Sequence, residues 1–174
     1  MTVAGKTRLA VLALAALVGS GAAVADDELV RHLALQERLA HVTRLDCSFA
    51  DKASGRWSEG KARPTLGTAQ LQLAFSKIDL DEGTASAPGV FGAFYIVAKY
   101  SGSYLNLIQQ QRDGPLYTTT VFATEASPGR FAAVHVRLEQ TSANLAGVNT
   151  EPTMYFGSCV AETGPARTPT TPVR

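Results

Sequence analysis

The feature that most constrains this chain is the placement of its only two cysteines, Cys47 and Cys159, at opposite ends of a long stretch of β-patterned sequence. A disulfide needs Cα atoms within about 7 Å, so a bridge between them forces the two ends of that stretch to meet. Whether they are bridged depends on the compartment, and the N-terminus speaks to that. Lys6 and Arg8 precede an apolar run from Leu9 to Val18, followed by small residues from Gly19 to Ala25. This is the three-part pattern of a secretory signal. Ala23 and Ala25 fill the small-residue positions a signal peptidase requires, so cleavage after Ala25 leaves Asp26 as the new N-terminus. The apolar run falls short of the about 20 residues that span a bilayer. Residues 1–25 are therefore read as a cleaved signal peptide, with no cysteine at the cleavage point to carry lipid. The expected destination is the bacterial periplasm or the medium. There a Cys47–Cys159 disulfide is the expected state, because no CxxC spacing or Cys-His cluster suggests catalytic thiols or metal ligands. Closing a loop of more than a hundred residues is worth about 4 to 5 kcal/mol in chain-entropy terms.

The expected mature chain keeps fourteen basic and fifteen acidic residues, a net charge of −1. Its length suits one packed domain. Near-neutral charge with Lys and Arg spread singly gives no footprint for nucleic acid or for an anionic membrane. No stable membrane insertion is expected once the signal is removed, and the oligomeric state is open.

Residues 26–42 are expected to form one N-terminal helix. Asp26, Asp27 and Glu28 favour its first turn, and neither Gly nor Pro interrupts it. Leu29, Leu33, Leu35, Leu39 and Val42 recur at helical spacings, while Arg31, Glu37 and Arg38 lie elsewhere. From Leu45 the period becomes two. Leu45, Cys47 and Phe49 share one face of a first strand, Asp51 to Gly55 read as a turn, and Arg56-Trp57 begin a short second strand. Leu71, Leu73 and Phe75 mark a third. Its apolar parity then slips to Ile78 and Leu80, which predicts a bulge near Ser76-Lys77 before a turn at Asp81-Glu82-Gly83. Strands at 93–100 and 103–111 flank the tight connection Ser101-Gly102-Ser103 and should pair antiparallel. Strands 116–124, 130–140 and 153–160 follow, separated by turns at Arg112–Pro115 and Ser127–Gly129 and by a polar loop at 141–152.

The first and last strands each carry a cysteine. The fold class is accordingly mainly β: a small antiparallel β-barrel over 43–161, or alternatively a two-sheet β-sandwich, preceded by one helix. The Thr- and Pro-rich residues 162–174 read as a disordered tail.

Sites of chemistry are sparse. His32 and His41 lie nine apart and do not make the i, i+4 pair that holds zinc. His135 has Arg137 and Glu139 at i+2 and i+4, a trio able to hold an anion, though the pattern reads as a solvated strand face opposite Ala132, Val134, Val136 and Leu138. Asp79, Asp81 and Glu82 resemble part of a calcium loop, but Gly83 and Val90 stand where an EF-hand needs ligands. No metal and no cofactor is expected. Gly55-Arg56-Trp57 resembles the G-x-W that opens lipocalin barrels. The resemblance covers that tripeptide and implies a carrier of a small apolar ligand with Trp57 at the closed barrel end.

The expected function is an exported, non-catalytic binding or inhibitor-type module whose partner is a protein or small ligand. Loops at 81–92 and 141–152, with Pro88-Gly89 and Asn149, are contact candidates. The alternative is an extracytoplasmic enzyme built on His135, against which stands the lack of a nucleophile, base and orienter set.

Overall fold

The computed structural model describes residues 20–89, 92–110, 115–141 and 149–164. Of the expected signal region, residues up to 19 lie outside these residues, and so does the expected tail from residue 165, while its first two residues, Glu162 and Thr163, belong to the last strand. One helix, α1 (Ser20–Ala40), precedes eight strands: β1 (Val42–Ser58), β2 (Lys61–Asp79), β3 (Thr84–Gly89), β4 (Gly92–Tyr100), β5 (Tyr104–Gln110), β6 (Leu116–Ser127), β7 (Arg130–Thr141) and β8 (Asn149–Thr163). Every strand pairs antiparallel with its sequence neighbours, and β8 returns to pair with β1, so the sheet closes into a ring. Among the described residues, no helix is long and apolar enough to cross a membrane.

The chain divides into two units, one ending at Ala34 and the other beginning at Leu35. In the first, Leu29, Val30 and Leu33 are exposed, so the apolar stripe read from the sequence is buried only in its second part. There Leu35, Leu39 and Val42 join the hydrophobic core of the ring. The last turn of α1 is held by polar contacts as well. The Tyr100 hydroxyl lies 2.9 Å from the Gln36 carbonyl oxygen and 2.7 Å from that of Gly102. The Arg38 guanidinium stands 5.0 Å from the centre of the Phe131 ring, and the Gly164 amide donates to the His41 carbonyl.

The Cys47–Cys159 disulfide is formed. The two residues are direct partners in the β1–β8 register, and both are buried. The bridge thus lies inside the ring, at the seam where the first strand meets the last, as the sequence pattern required. Two positions away Phe49 faces Gly157. A Cβ on Gly157 would collide with the Ser48 carbonyl oxygen and stand 2.7 Å from the Phe49 Cα. Only glycine allows β1 and β8 to approach so closely beside the bulge between Phe49 and Asp51.

The bulge expected near Ser76-Lys77 is present. Register shifts between Ser76 and Asp79, and Lys77 takes a φ of 51°. Asp79 then caps the following turn, its Oδ1 accepting from the amides of Asp81 and Glu82. The Ser101–Ser103 connection joins β4 and β5 in the expected antiparallel pair.

Three expectations are corrected. Asp51–Gly55 is not a turn: β1 runs unbroken to Ser58, and the reversal falls at Glu59-Gly60, both with positive φ. A two-residue turn of this kind matches the twist of a β-ribbon, whereas Lys52–Ser54 keep extended pairing with both β2 and β8 and Gly55 pairs with Pro64 on β2. The span 81–92 is not a loop, because Thr84–Gly89 form β3 between β2 and β4. The span 141–152 is shorter as a loop than expected, since β7–β8 pairing reaches Thr141 and Asn149; residues 142–148 lie outside those described.

Candidate functional site

Parity along β7 decides the site. Phe131, Ala133 and His135 are buried, while Leu138 is exposed. The inward face is therefore the one carrying His135 and Arg137, opposite to the expectation of a solvated histidine face. Ala132, Val134, Val136 and Leu138 make the other face the more apolar one, so alternation pointed to the wrong side. What makes the inward assignment physically acceptable is that His135 has partners for both ring nitrogens.

Those partners come from neighbouring strands in register. Thr119 on β6 lies directly opposite His135, and Tyr155 on β8 lies opposite it on the other side. The Arg137 Nε–H donates to His135 Nε2 at 3.2 Å. A guanidinium offers only donors, so Nε2 must be the bare nitrogen, and Nδ1 carries the proton and donates to Thr119 Oγ1 at 2.8 Å. The imidazole is enclosed by the rings of Phe49, Tyr117 and Tyr155, with centroids 5.9, 6.2 and 5.9 Å away. Burial pushes the His135 pKa down to about 4, and the adjacent Arg137 charge adds to the effect. Arg137 in turn lies between two aromatic faces, its guanidinium carbon 5.6 Å from the Tyr117 centroid and 5.3 Å from that of Tyr155. Such stacking suits the flat, weakly hydrated guanidinium.

This cluster forms one wall of a cavity of about 180 Å³ inside the ring. Tyr117, Thr119, His135 and Arg137 line it together with Leu73, Phe75, Ile96, Leu107 and Gln109, Leu107 being the direct partner of Thr119 across β5 and β6. The lining also includes Gln72, Ala74 and Pro88, so the cavity reaches the seam between β2 and β3. That seam is thinly paired. Its register holds Ser76 to Ser86 and Asp79 to Thr84, and further along it Pro88 brings no N–H to a ladder.

Among the other residues singled out from the sequence, Glu139 stands on β7 opposite Glu151, and Asn149 opens β8 opposite Thr141; the side chains of Glu139 and Asn149 lie outside the described residues. Trp57 is 62% exposed, near the end of the β1–β2 hairpin. It does not close a barrel end, so the placement implied by the lipocalin resemblance does not hold. The structure thus joins His135 and Arg137 in one site and leaves Trp57 out of it. Sequence reasoning missed Tyr117, Thr119 and Tyr155. The signal was present in the alternation of Leu116–Thr124, where Tyr117 and Thr119 share parity with Val121 and Ala123, but it becomes readable only once β6 and β7 are in register.

Compared with protein families, with characterised proteins and with solved structures, the chain matches none.

Proposed function

We propose that this protein is an exported, non-catalytic β-barrel that binds a small molecule in the interior of its strand ring. The observation that carries the reading is the cavity of about 180 Å³, lined by Leu73, Phe75, Ile96 and Leu107 together with the polar groups of Gln109, Thr119, His135 and Arg137. Ligand sites are concave and mostly apolar, with a few converging polar groups. A cavity of about 150 Å³ accepts benzene, so this one suits a single ring bearing a small polar group. Export is supported by the Lys6–Ala25 segment and by the buried disulfide, which an oxidising compartment sustains.

The enzyme alternative is weaker on chemical grounds. A general base works best with a pKa near the working pH, whereas His135 is held at about 4. Its Nε2 lone pair already accepts from a fixed cation. The imidazole acts as a neutral strut that orients Arg137 and forms part of the binding wall.

The test uses protein recovered from the periplasm, with its start at Asp26 checked by intact mass. Titration with benzyl alcohol and with benzoate, followed by NMR, is expected to give saturable shifts at Leu107, Thr119 and His135 with at least one of them. Ala87, half-buried in the cavity lining, offers the control: Ala87→Phe should keep the fold by circular dichroism and abolish the shifts. Absence of saturable binding by either compound, or binding unchanged in the filled variant, would overturn the reading.

A further inference from the structure

The β1–β2 hairpin carries an arrangement that the cavity does not use. Beyond the bulge at Phe49/Asp51, Lys52 pairs with Tyr155 across to β8 and with Gly67 across to β2. Tyr155 packs against His135 inside the ring with the two rings tilted, and directly paired residues share a face of the sheet, so Lys52 belongs to the inward face. Strand parity then puts Ser54, Arg56 and Ser58 on that face of β1, and their partners Thr65, Arg63 and Lys61 on that face of β2. The Ser54 Oγ to Thr65 Oγ1 hydrogen bond of 2.9 Å agrees with the assignment. Trp57, Pro64 and Leu66 take the opposite face.

Four basic residues, Lys52, Arg56, Lys61 and Arg63, are thereby collected on the face continuous with the cavity. Arg56 and Arg63 are direct partners, an unfavourable like-charge pairing for a structural ribbon. The register ties them to the site. Lys52 shares a row with Tyr155 and His135, and Ser54 shares the next row with Thr153 and Arg137. Arg56 and Arg63 stand one inward row further out, about 7 Å along the strands.

We infer that the cavity takes a small organic anion, a carboxylate on an aromatic or short aliphatic body, with its charge toward Arg137 and its body against Leu73, Phe75, Ile96 and Leu107, and that the hairpin steers it in. This rests on the binding reading above and adds the charge of the ligand to it. A guanidinium matches a carboxylate in shape and charge, and a cluster of like charge at a low-dielectric opening raises the local concentration and on-rate of the opposite charge.

Benzoate and benzyl alcohol, nearly equal in size, separate the claims. At low salt benzoate is expected to bind at least about tenfold more tightly, a difference of about 1.4 kcal/mol. Its affinity should fall with added sodium chloride while that of benzyl alcohol stays constant. Arg137→Gln should erase the preference for benzoate over benzyl alcohol. The triple variant Arg56→Gln, Lys61→Gln, Arg63→Gln should lower the benzoate on-rate severalfold and flatten its salt dependence, with the off-rate unchanged. Because all three are exposed, that variant tests steering without disturbing the core. If benzyl alcohol binds as well as benzoate in the native protein, the anion inference fails and the cavity reading stands. If neither binds, the cavity reading itself fails. An on-rate untouched by the triple substitution removes the hairpin from the account.

Discussion

The two ends of the ring solve opposite problems. Around the last turn of α1 the interior is filled with apolar side chains: Leu39, Leu45, Leu105, Val121, Ala123 and Phe131 are fully buried, and the disulfide joins them in the core. Toward the β1–β2 hairpin the same strands carry Tyr117, Thr119, His135, Arg137 and Tyr155, and a cavity replaces packed side chains. In β7 the change from one regime to the other takes only a few residues, from Phe131 through Ala133 to His135 and Arg137. A ring of this size needs one well-filled end for stability, and that allows the other end to hold polar groups that a small core could not otherwise accommodate.

The sharpest test of the contrast is to delete a side chain from each end. Phe131→Ala should destabilise the protein by about 3 to 5 kcal/mol, the usual cost of emptying a buried aromatic site. Leu73→Ala, at a half-buried residue that already borders the cavity, should cost less than about 2 kcal/mol, because fewer contacts are lost there. Urea unfolding of both variants measures the pair. Equal costs would mean that the cavity end is packed as tightly as the helix end.

A smaller effect comes from pH and belongs to the cavity end alone. The folded-state pKa of His135, about 4, lies below the ordinary value near 6.5, so between those limits the unfolded chain binds more protons than the folded one. Stability should therefore be full above about pH 6.5 and decline as pH falls toward 4, by at most about 3 kcal/mol. Denaturant midpoints from pH 8 to pH 4 in the native protein and in His135→Gln check this. The histidine-dependent part of the slope should vanish in the variant, and its persistence would assign the acid sensitivity to other groups.

The smallest effect concerns the hairpin. Trp57→Ala should change stability by no more than about 0.5 kcal/mol, as for surface substitutions generally. The only tryptophan of the chain is exposed, so acrylamide should quench its fluorescence readily before unfolding. A shielded tryptophan would mean that the hairpin folds back onto another surface.

Much of this architecture was legible in the residues. The cysteine placement anticipated a β1–β8 contact, and the parity slip from Phe75 to Ile78 located a bulge. Hidden from the sequence were the features that depend on pairing partners. Asp51–Gly55 has turn-forming composition, yet pairing with β2 along its length and with β8 as far as Ser54 holds it extended. The face of His135 was misread because Val134, Val136 and Leu138 looked like the core. They are β-branched or apolar residues suited to a strand, and only the burial of Phe131 and Ala133 shows which side points in. The hairpin cations looked scattered because residues separated by a turn become neighbours only through the register.

The Cys47–Cys159 bridge has a further consequence outside the energetics of folding. All the connections between consecutive strands, from Glu59-Gly60 to the segment between Thr141 and Asn149, fall between the two cysteines. Exposed turn tips are where proteases cut first. A single cut at an exposed turn such as Glu59-Gly60 opens one hairpin but releases no fragment, because both pieces stay covalently attached through β1 and β8. A nicked molecule therefore loses a fragment only after a second cut or reduction of the bridge, which would matter most in the exported location proposed above.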